Sequence, residues 1–313
     1  MTSHTESSVF RFGVISDIQY ADHDDAKSYS GTPRFYRHSI QHIKDALAEF
    51  KDFKAEFVLQ LGDFIDGKCK DECEVAMETV LEEISKAGVP VYHTLGNHDL
   101  YNFSHRQVVQ QLILPSGGES PDIGYYSRIY RNIRLVCLDS YDVSVLGRSE
   151  DESAYITGLQ YMAANSNPDQ NSSEGLEEGA QQLVKYNGGV GRQQLAWLSQ
   201  QLEAADSSQQ RVVVFNHCAI LPSASTSKSL LWNYEEVLAM LESSPSVILI
   251  LHGHTHQYSH NISPSGQHHI GLRGVIETPP GEKAWALVSV SKQEMKLKIY
   301  DGAKSVDIVI PTP

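Results

Sequence analysis

A chain of 313 residues with 25 Lys and Arg against 39 Asp and Glu carries a formal charge of -14 and a pI near 5.4, which excludes the basic surface that nucleic acid or an anionic membrane requires. Its four cysteines, at positions 69, 73, 137 and 218, have the spacing of neither a disulfide framework nor a zinc ribbon, and a chain this long buries a sizeable core without either. The opening MTSHTESSVF lacks a basic-then-apolar leader pattern, and the longest apolar runs, such as 247–251, fall far short of the roughly 20 residues of a membrane helix. A reducing, cytoplasmic setting and no membrane partner are expected.

In chain order, strand-like and helix-like segments alternate. Val, Ile and Phe in 10–16 predict a strand. The spacing of Ile40, Ile43, Leu47 and Phe50 predicts a helix over 32–53. A strand over 57–61 ends at Gly62. A helix over 71–86 follows, with Val75, Val80 and Ile84 facing inward, Cys69 and Cys73 on a solvated face, and Gly88 as its stop. Residues 90–94 predict a strand ending before Gly96, and 124–127 with 134–138 a strand pair. Residues 142–190 are rich in Ser, Asn, Asp, Glu, Gln and Gly and lack periodicity, which reads as a polar insertion over one side of the site in a single domain spanning 1–313. Beyond it come a helix over 191–202 with Leu195, Trp197, Leu198 and Leu202 on one face, a strand at 211–215, a helix at 233–242 and a strand at 247–251. The rest is β-rich: 269–275, 284–290, 295–300 and 306–310.

Five of these strands are followed closely by unusual polar segments: Asp17-Ile18-Gln19, Gly62-Asp63-Phe64-Ile65-Asp66-Gly67, Gly96-Asn97-His98-Asp99, Asn216-His217 and His252-Gly253-His254-Thr255-His256. In an open α/β sheet, sites form at the carboxyl ends of the strands. Carboxylate, carboxamide and imidazole together suit Mn, Fe, Zn or Mg. Each segment alone is weak, since Gly-Asp is also a turn and a His-rich loop is also a polar loop; all five in order, each after a strand, point to a metal site. His252, His260, His268 and His269 read as packing or surface residues rather than ligands, as do His23 and His38. Cys218 reads as a packed small residue.

These five segments resemble the calcineurin-like metallophosphoesterases, whose pattern runs D-x-H, G-D-x-x-D, G-N-H-D/E, H, G-H-x-H. The resemblance implies a four-layer α/β/β/α sandwich of two mixed sheets flanked by helices. It implies two divalent ions, one held by Asp17, Gln19, Asp63 and His256, the other by Asp63, Asn97, His217 and His254, with Asp63 bridging. It implies that His98 is a hydrogen-bond donor or acid at the phosphate. Asp66 and Asp99 read either as residues that orient His98 or a ligand, or as turn-forming aspartates. Gln19 stands where most members have His. An oxygen ligand there favours Mn2+, with Mg2+, Fe2+ or Zn2+ as the other choices. The same Asp-x-Gln departure resembles a Mn2+-dependent group of the family that cleaves ADP-ribose and CDP-alcohols such as CDP-choline and CDP-glycerol. The expected reaction is attack of activated water on one phosphorus of a nucleoside diphosphate, releasing a mononucleotide and a phosphorylated product.

Other readings are a phosphomonoesterase or protein phosphatase, a cyclic-nucleotide phosphodiesterase, and a non-catalytic scaffold; the filled ligand positions argue against the last. For substrate contacts, the aromatic and basic residues Tyr29 and Arg37 and the Gly-rich Asn187-Gly188-Gly189 are candidates. A monomer acting on a small nucleotide diphosphate, without nucleic acid, is expected.

Overall fold

The structure, a computed structural model, describes residues 10–312, so all but Phe10 of the stretch read above for a leader lies outside the described residues. Its strands are β1 (Phe10–Ile15), β2 (Ala26–Lys27), β3 (Pro33–Arg34), β4 (Phe57–Gln60), β5 (Val91–His93), β6 (Tyr126–Tyr130), β7 (Ile133–Cys137), β8 (Arg211–Asn216), β9 (Val247–His252), β10 (Ser259–Ile262), β11 (His268–Gly271), β12 (Trp285–Val290), β13 (Glu294–Asp301) and β14 (Lys304–Pro311). The helices are α1 (Ser39–Asp52), α2 (Cys73–Ser85), α3 (Asn97–Asn102), α4 (His105–Val108), α5 (Leu114–Ser116), α6 (Ser153–Tyr161), α7 (Arg192–Ser207) and α8 (Tyr234–Glu242).

Two six-stranded sheets organise the molecule, in the orders β14-β13-β12-β1-β4-β5 and β10-β11-β9-β8-β7-β6. Each is mixed. β1, β4 and β5 run parallel while β12 to β14 form an antiparallel meander; β7, β8, β9 and β11 run parallel between antiparallel edges. The central strands read as near-continuous apolar runs because both faces are covered, as parallel strands require. α1 packs on β1 and α2, and α7 on β8 and α8, which gives the expected four layers. One apolar core joins both sheets, from Phe12 and Phe57 (rings stacked 4.8 Å apart) to Phe215 and Trp285.

Several expectations shift. The helix predicted over 32–53 begins only at Ser39, because a short β2–β3 hairpin occupies the residues before it and Phe35 N–H donates to Ile276 O at 2.8 Å. On α2, Val80 and Ile84 are buried but Val75 is exposed, since it lies a half-turn off the Met77–Val80–Ile84 stripe. Cys69 is buried against Tyr20 O rather than solvated. The segment 142–190 is ordered around a second small cluster of Val143, Val145, Met162 and Trp232, and it contains α6. Among the described residues, no helix is long and apolar enough to cross a membrane.

Candidate metal and phosphoester site

Loops leaving the carboxyl ends of β1, β4, β5, β8 and β9 bring the five polar segments together. Of nine non-glycine residues with positive φ among those described, five are here: Asp17 (51°), Gln19 (42°), Asp63 (56°), His254 (67°) and His256 (55°). The left-handed region costs an L-residue roughly 1–2 kcal/mol, so its concentration at one spot marks backbone bent to aim side chains. Glycine permits the close approach: a Cβ on Gly96 would overlap both Oδ1 and the main-chain nitrogen of Asp63.

The side chains form two overlapping groups. In one, Asp17, Asp63 and His256 have ligand atoms within 4.8 Å of one another, and Gln19 Nε2 lies 2.7 Å from Asp63 Oδ2 and 2.8 Å from His256 Nε2. In the other, Asn97 Oδ1, His217 Nε2 and His254 Nδ1 are mutually 3.0–3.2 Å apart, with His217 Nε2 also 3.5 Å from Asp63 Oδ2. Donor atoms about 2.1 Å from one octahedral cation stand about 3 Å from their neighbours, so this spacing fits a divalent ion. Gln19 supplies a further test. Its Oε1 is buried without a partner; turning the amide over exchanges oxygen for nitrogen and presents that oxygen beside Asp63 Oδ2, where a cation satisfies both.

Each imidazole is aimed by its second nitrogen. His217 Nδ1 donates to Leu61 O at 2.8 Å, His254 Nε2 to Asn187 Oδ1 at 2.8 Å, and His256 Nδ1 to Glu277 Oε1 at 3.0 Å. This leaves Nε2, Nδ1 and Nε2 respectively facing the cluster. Asn97 is held from both ends, its Nδ2 donating to Tyr101 Oη at 3.2 Å and its Oδ1 accepting from Tyr141 Oη at 3.3 Å. Burial disfavours charge throughout, yet the carboxylates prevail. Asp17 and Glu277 hold His256 up at about 10, and Asp63 and Asp17 hold His217 up at about 9. Asp17 and Asp63 are correspondingly held below the usual carboxylate range by those imidazoles. Burial, reinforced by the charge on His217, pushes His254 down to about 3.

His98 is a partly buried member at the rim, and its Nδ1 lies 3.0 Å from Asp66 Oδ2. Asp99 does not touch His98. Its Oδ1 accepts from Phe64 and Ile65 N–H (2.8 and 3.2 Å) and its Oδ2 from Gly96 N–H (3.0 Å), stapling the Asp63 loop to the start of α3. Burial and the Asp63 charge raise it to about 7.

Thus the structure brings together Asp17, Gln19, Asp63, Asn97, His217, His254 and His256, with His98 and Asp66 beside them. Asn187, expected near substrate, accepts from His254 Nε2, and a Cβ on Gly188 would not fit beside Ser140 O. Gly189 lies by Asn233 and Trp232. Tyr29 is fully exposed at the β2–β3 turn, and the Arg37 guanidinium is engaged by Asp22 and Asp24 on the surface; neither joins the cluster. Sequence reasoning missed Glu277, Tyr101 and Tyr141. Glu277 sits in a turn at 275–277 in the β-rich tail, 21 residues past His256, with no motif around it. His260 and His268 pair with each other at 3.0 Å, away from the ligand groups.

Such a fold, with metal-ligand side chains at the strand ends of two facing mixed sheets, is that of a dinuclear phosphoester hydrolase. The calcineurin-like phosphoesterase family model matches residues 10–258, and the chain belongs to that family. It is 36% identical to an Arabidopsis thaliana protein named manganese-dependent ADP-ribose/CDP-alcohol diphosphatase, over 98% of this chain and 99% of the relative. A human protein of the same name is 35% identical over 95% of this chain and 91% of its own length. A crystal structure of a dimetal phosphatase from Danio rerio superposes with a TM-score of 0.92 at 36% identity, covering 97% of this chain and 99% of that one.

Proposed function

We propose that the protein is a Mn2+-dependent diphosphatase that hydrolyses ADP-ribose, CDP-alcohols and related nucleoside diphosphate esters. Water adds to one phosphorus and the bond to the bridging oxygen breaks, giving AMP and ribose 5-phosphate from ADP-ribose, or CMP and phosphocholine from CDP-choline. The observation that carries this reading is the convergence of seven oxygen and nitrogen donors, with Gln19 rather than a second histidine in the first group. Relatives sharing over nine-tenths of the chain bear that activity in their names.

In this reading Asp17, Gln19, Asp63 and His256 hold one ion, Asp63, Asn97, His217 and His254 the other. Bound there, the pair would polarise the phosphoryl oxygens and supply a nucleophile from water at neutral pH. The protein's own part is positional. Asp63 Oδ1 accepts from His98 N–H at 2.8 Å, which ties the bridging carboxylate to the residue facing substrate. Asp66 Oδ2 lies 3.0 Å from His98 Nδ1 and fixes the ring, which leaves Nε2 to meet a phosphoryl or departing oxygen. Tyr29 offers an unpacked ring for a base, and Tyr186, whose ring centre is 5.6 Å from that of His254, offers a second. The chain works as one catalytic domain, since a single main core runs through both sheets. Four free cysteines and a net charge of -14 fit a cytoplasmic monomer acting on a small molecule rather than on nucleic acid or membrane.

The test is a metal-stripped sample with Mn2+ or Mg2+ restored, assayed on ADP-ribose, CDP-choline, a cyclic nucleotide and p-nitrophenyl phosphate. Mn2+-dependent release of AMP and CMP is expected; faster cleavage of the monoester or the cyclic nucleotide would refute the substrate class.

A further inference from the structure

Arg34 occupies a place that no motif predicts. It ends β3 and pairs with Ala26 across the hairpin. Its guanidinium lies between two carboxylates that serve different halves of the site: Nε is 3.3 Å from Glu277 Oε1, and Nη1 is 3.6 Å from Asp66 Oδ2. Glu277 orients His256 at 3.0 Å, and Asp66 orients His98 at 3.0 Å. All three side chains are largely buried, with exposures of 17% for Arg34, 13% for Glu277 and 3% for Asp66. Removing the cation would leave two largely buried carboxylates without the charge that pairs with both.

The backbone makes the same connection. Phe35 N–H donates to Ile276 O at 2.8 Å, while Ile276 N–H donates to Asp17 O at 3.0 Å and Val275 N–H to Ser16 O at 3.2 Å. The turn carrying Glu277 is therefore clamped between the hairpin and the first metal-ligand loop.

We propose that Arg34 is a positioning residue that couples His256, on the metal side, to His98, on the phosphate side, by bridging Glu277 and Asp66. The coupling rests on the metal assignment given above. It requires a planar fork with two separate donors, so a lysine, with a single point charge, does not replace it.

The experiment compares wild type with Arg34→Gln and Arg34→Lys, alone and combined with Asp66→Asn or Glu277→Gln. Mn2+ binding is read by calorimetry and by the Mn2+ electron-spin signal without substrate, and kcat and KM by turnover. Loss of a partner that orients a ligand typically weakens metal binding or activity about 10–100-fold, and Arg34 acts one contact further out, so about 10-fold is expected in both. KM should change little. Arg34→Lys should fail to restore either quantity, and the losses of Arg34→Gln should not add to those of Glu277→Gln in Mn2+ affinity or of Asp66→Asn in kcat. Wild-type Mn2+ binding with an unchanged affinity in Arg34→Gln, full rescue by lysine, or additive double variants would overturn the coupling while leaving the metal reading intact. A wild type that binds no Mn2+ would overturn both.

Discussion

Metal loading should displace two protons, and the structure says from where. His217 and His256 each keep a proton on Nδ1, bonded to Leu61 O and to Glu277. Without metal, neighbouring carboxylates hold the two rings at about 9 and about 10, so at neutral pH each Nε2 is protonated too. Each cation must take the lone pair of one Nε2, which means one proton leaves per ion. At pH 7.5 the two deprotonations are uphill by four pH units together, about 5 kcal/mol of apparent affinity, on the rings at about 9 and about 10. Affinity for each ion should therefore rise up to about tenfold per pH unit between pH 6 and 8. The stability of the metal-free protein runs the opposite way. Folded values raised above the ordinary 6.5 contribute stabilisation that is complete below about 6.5 and lost as pH climbs through about 9 and about 10. Calorimetric Mn2+ titrations at pH 7.5 in buffers of different ionisation enthalpy count the protons directly. Proton-neutral binding, or an affinity flat from pH 6 to 8, would refute the assignment of Nε2 as the ligating atom on both rings.

Four further outcomes are expected. Gly96→Ala forces a Cβ into Asp63 and should abolish stoichiometric metal in a protein whose circular dichroism is otherwise retained. His98→Ala should lower kcat by about 10²–10⁴-fold with metal content unchanged, measured by turnover and metal analysis on one sample. Tyr29→Ala should raise KM for nucleotide substrates about tenfold, the worth of one base stacked on a ring, and leave p-nitrophenyl phosphate cleavage alone. Glu49 accepts hydrogen bonds from Lys283 (2.7 Å), Trp285 (3.0 Å) and Tyr300 (2.5 Å), and these overcome burial to lower its pKa. Its contribution is present above the ordinary carboxylate value and lost as pH falls through the lowered folded one, so urea unfolding should show Glu49→Gln destabilised by about 1–3 kcal/mol at pH 7 and converging with wild type as the carboxylate protonates in acid.

The strand ends were legible because apolar runs break sharply where Asp, Asn and His begin, and those breaks are the site. All seven residues proposed as ligands, and Asp66, follow from short local patterns. The helices between Asn97 and Ser116 were not legible: they are six residues or fewer, joined by a π-helical turn at Val109–Ile113, and too short to show a 3.6-residue period. β3 was absorbed into a predicted helix because Thr32–Phe35 carry no strand-length run, and tertiary bonding to Ile276 decides their conformation. Glu277, Tyr101 and Tyr141 were invisible for another reason. They act by contact across the fold, and nothing local distinguishes a glutamate that aims an imidazole from one that faces water. Asn187, noticed for its Gly-rich surroundings, makes a contact no local pattern shows, its Oδ1 accepting from His254 Nε2.

The division of labour that results has a physical logic. Seven donors drawn from positions 17 to 256 must meet within a few ångströms, and five of them do so from left-handed backbone. That geometry survives because a second set of contacts over-determines it: Asp99 on three amides, Tyr101 and Tyr141 on Asn97, Leu61, Asn187 and Glu277 on the imidazoles. A cluster so fixed treats any phosphoryl group alike. Discrimination among substrates must then come from parts free to differ without disturbing the metals, and the exposed tip of the β2–β3 hairpin, with Tyr29 at its turn, is such a part. Arg34 stands where that hairpin meets the cluster and touches both orienting carboxylates, while the Phe35–Ile276–Asp17 backbone bonds hold the hairpin to the first ligand loop.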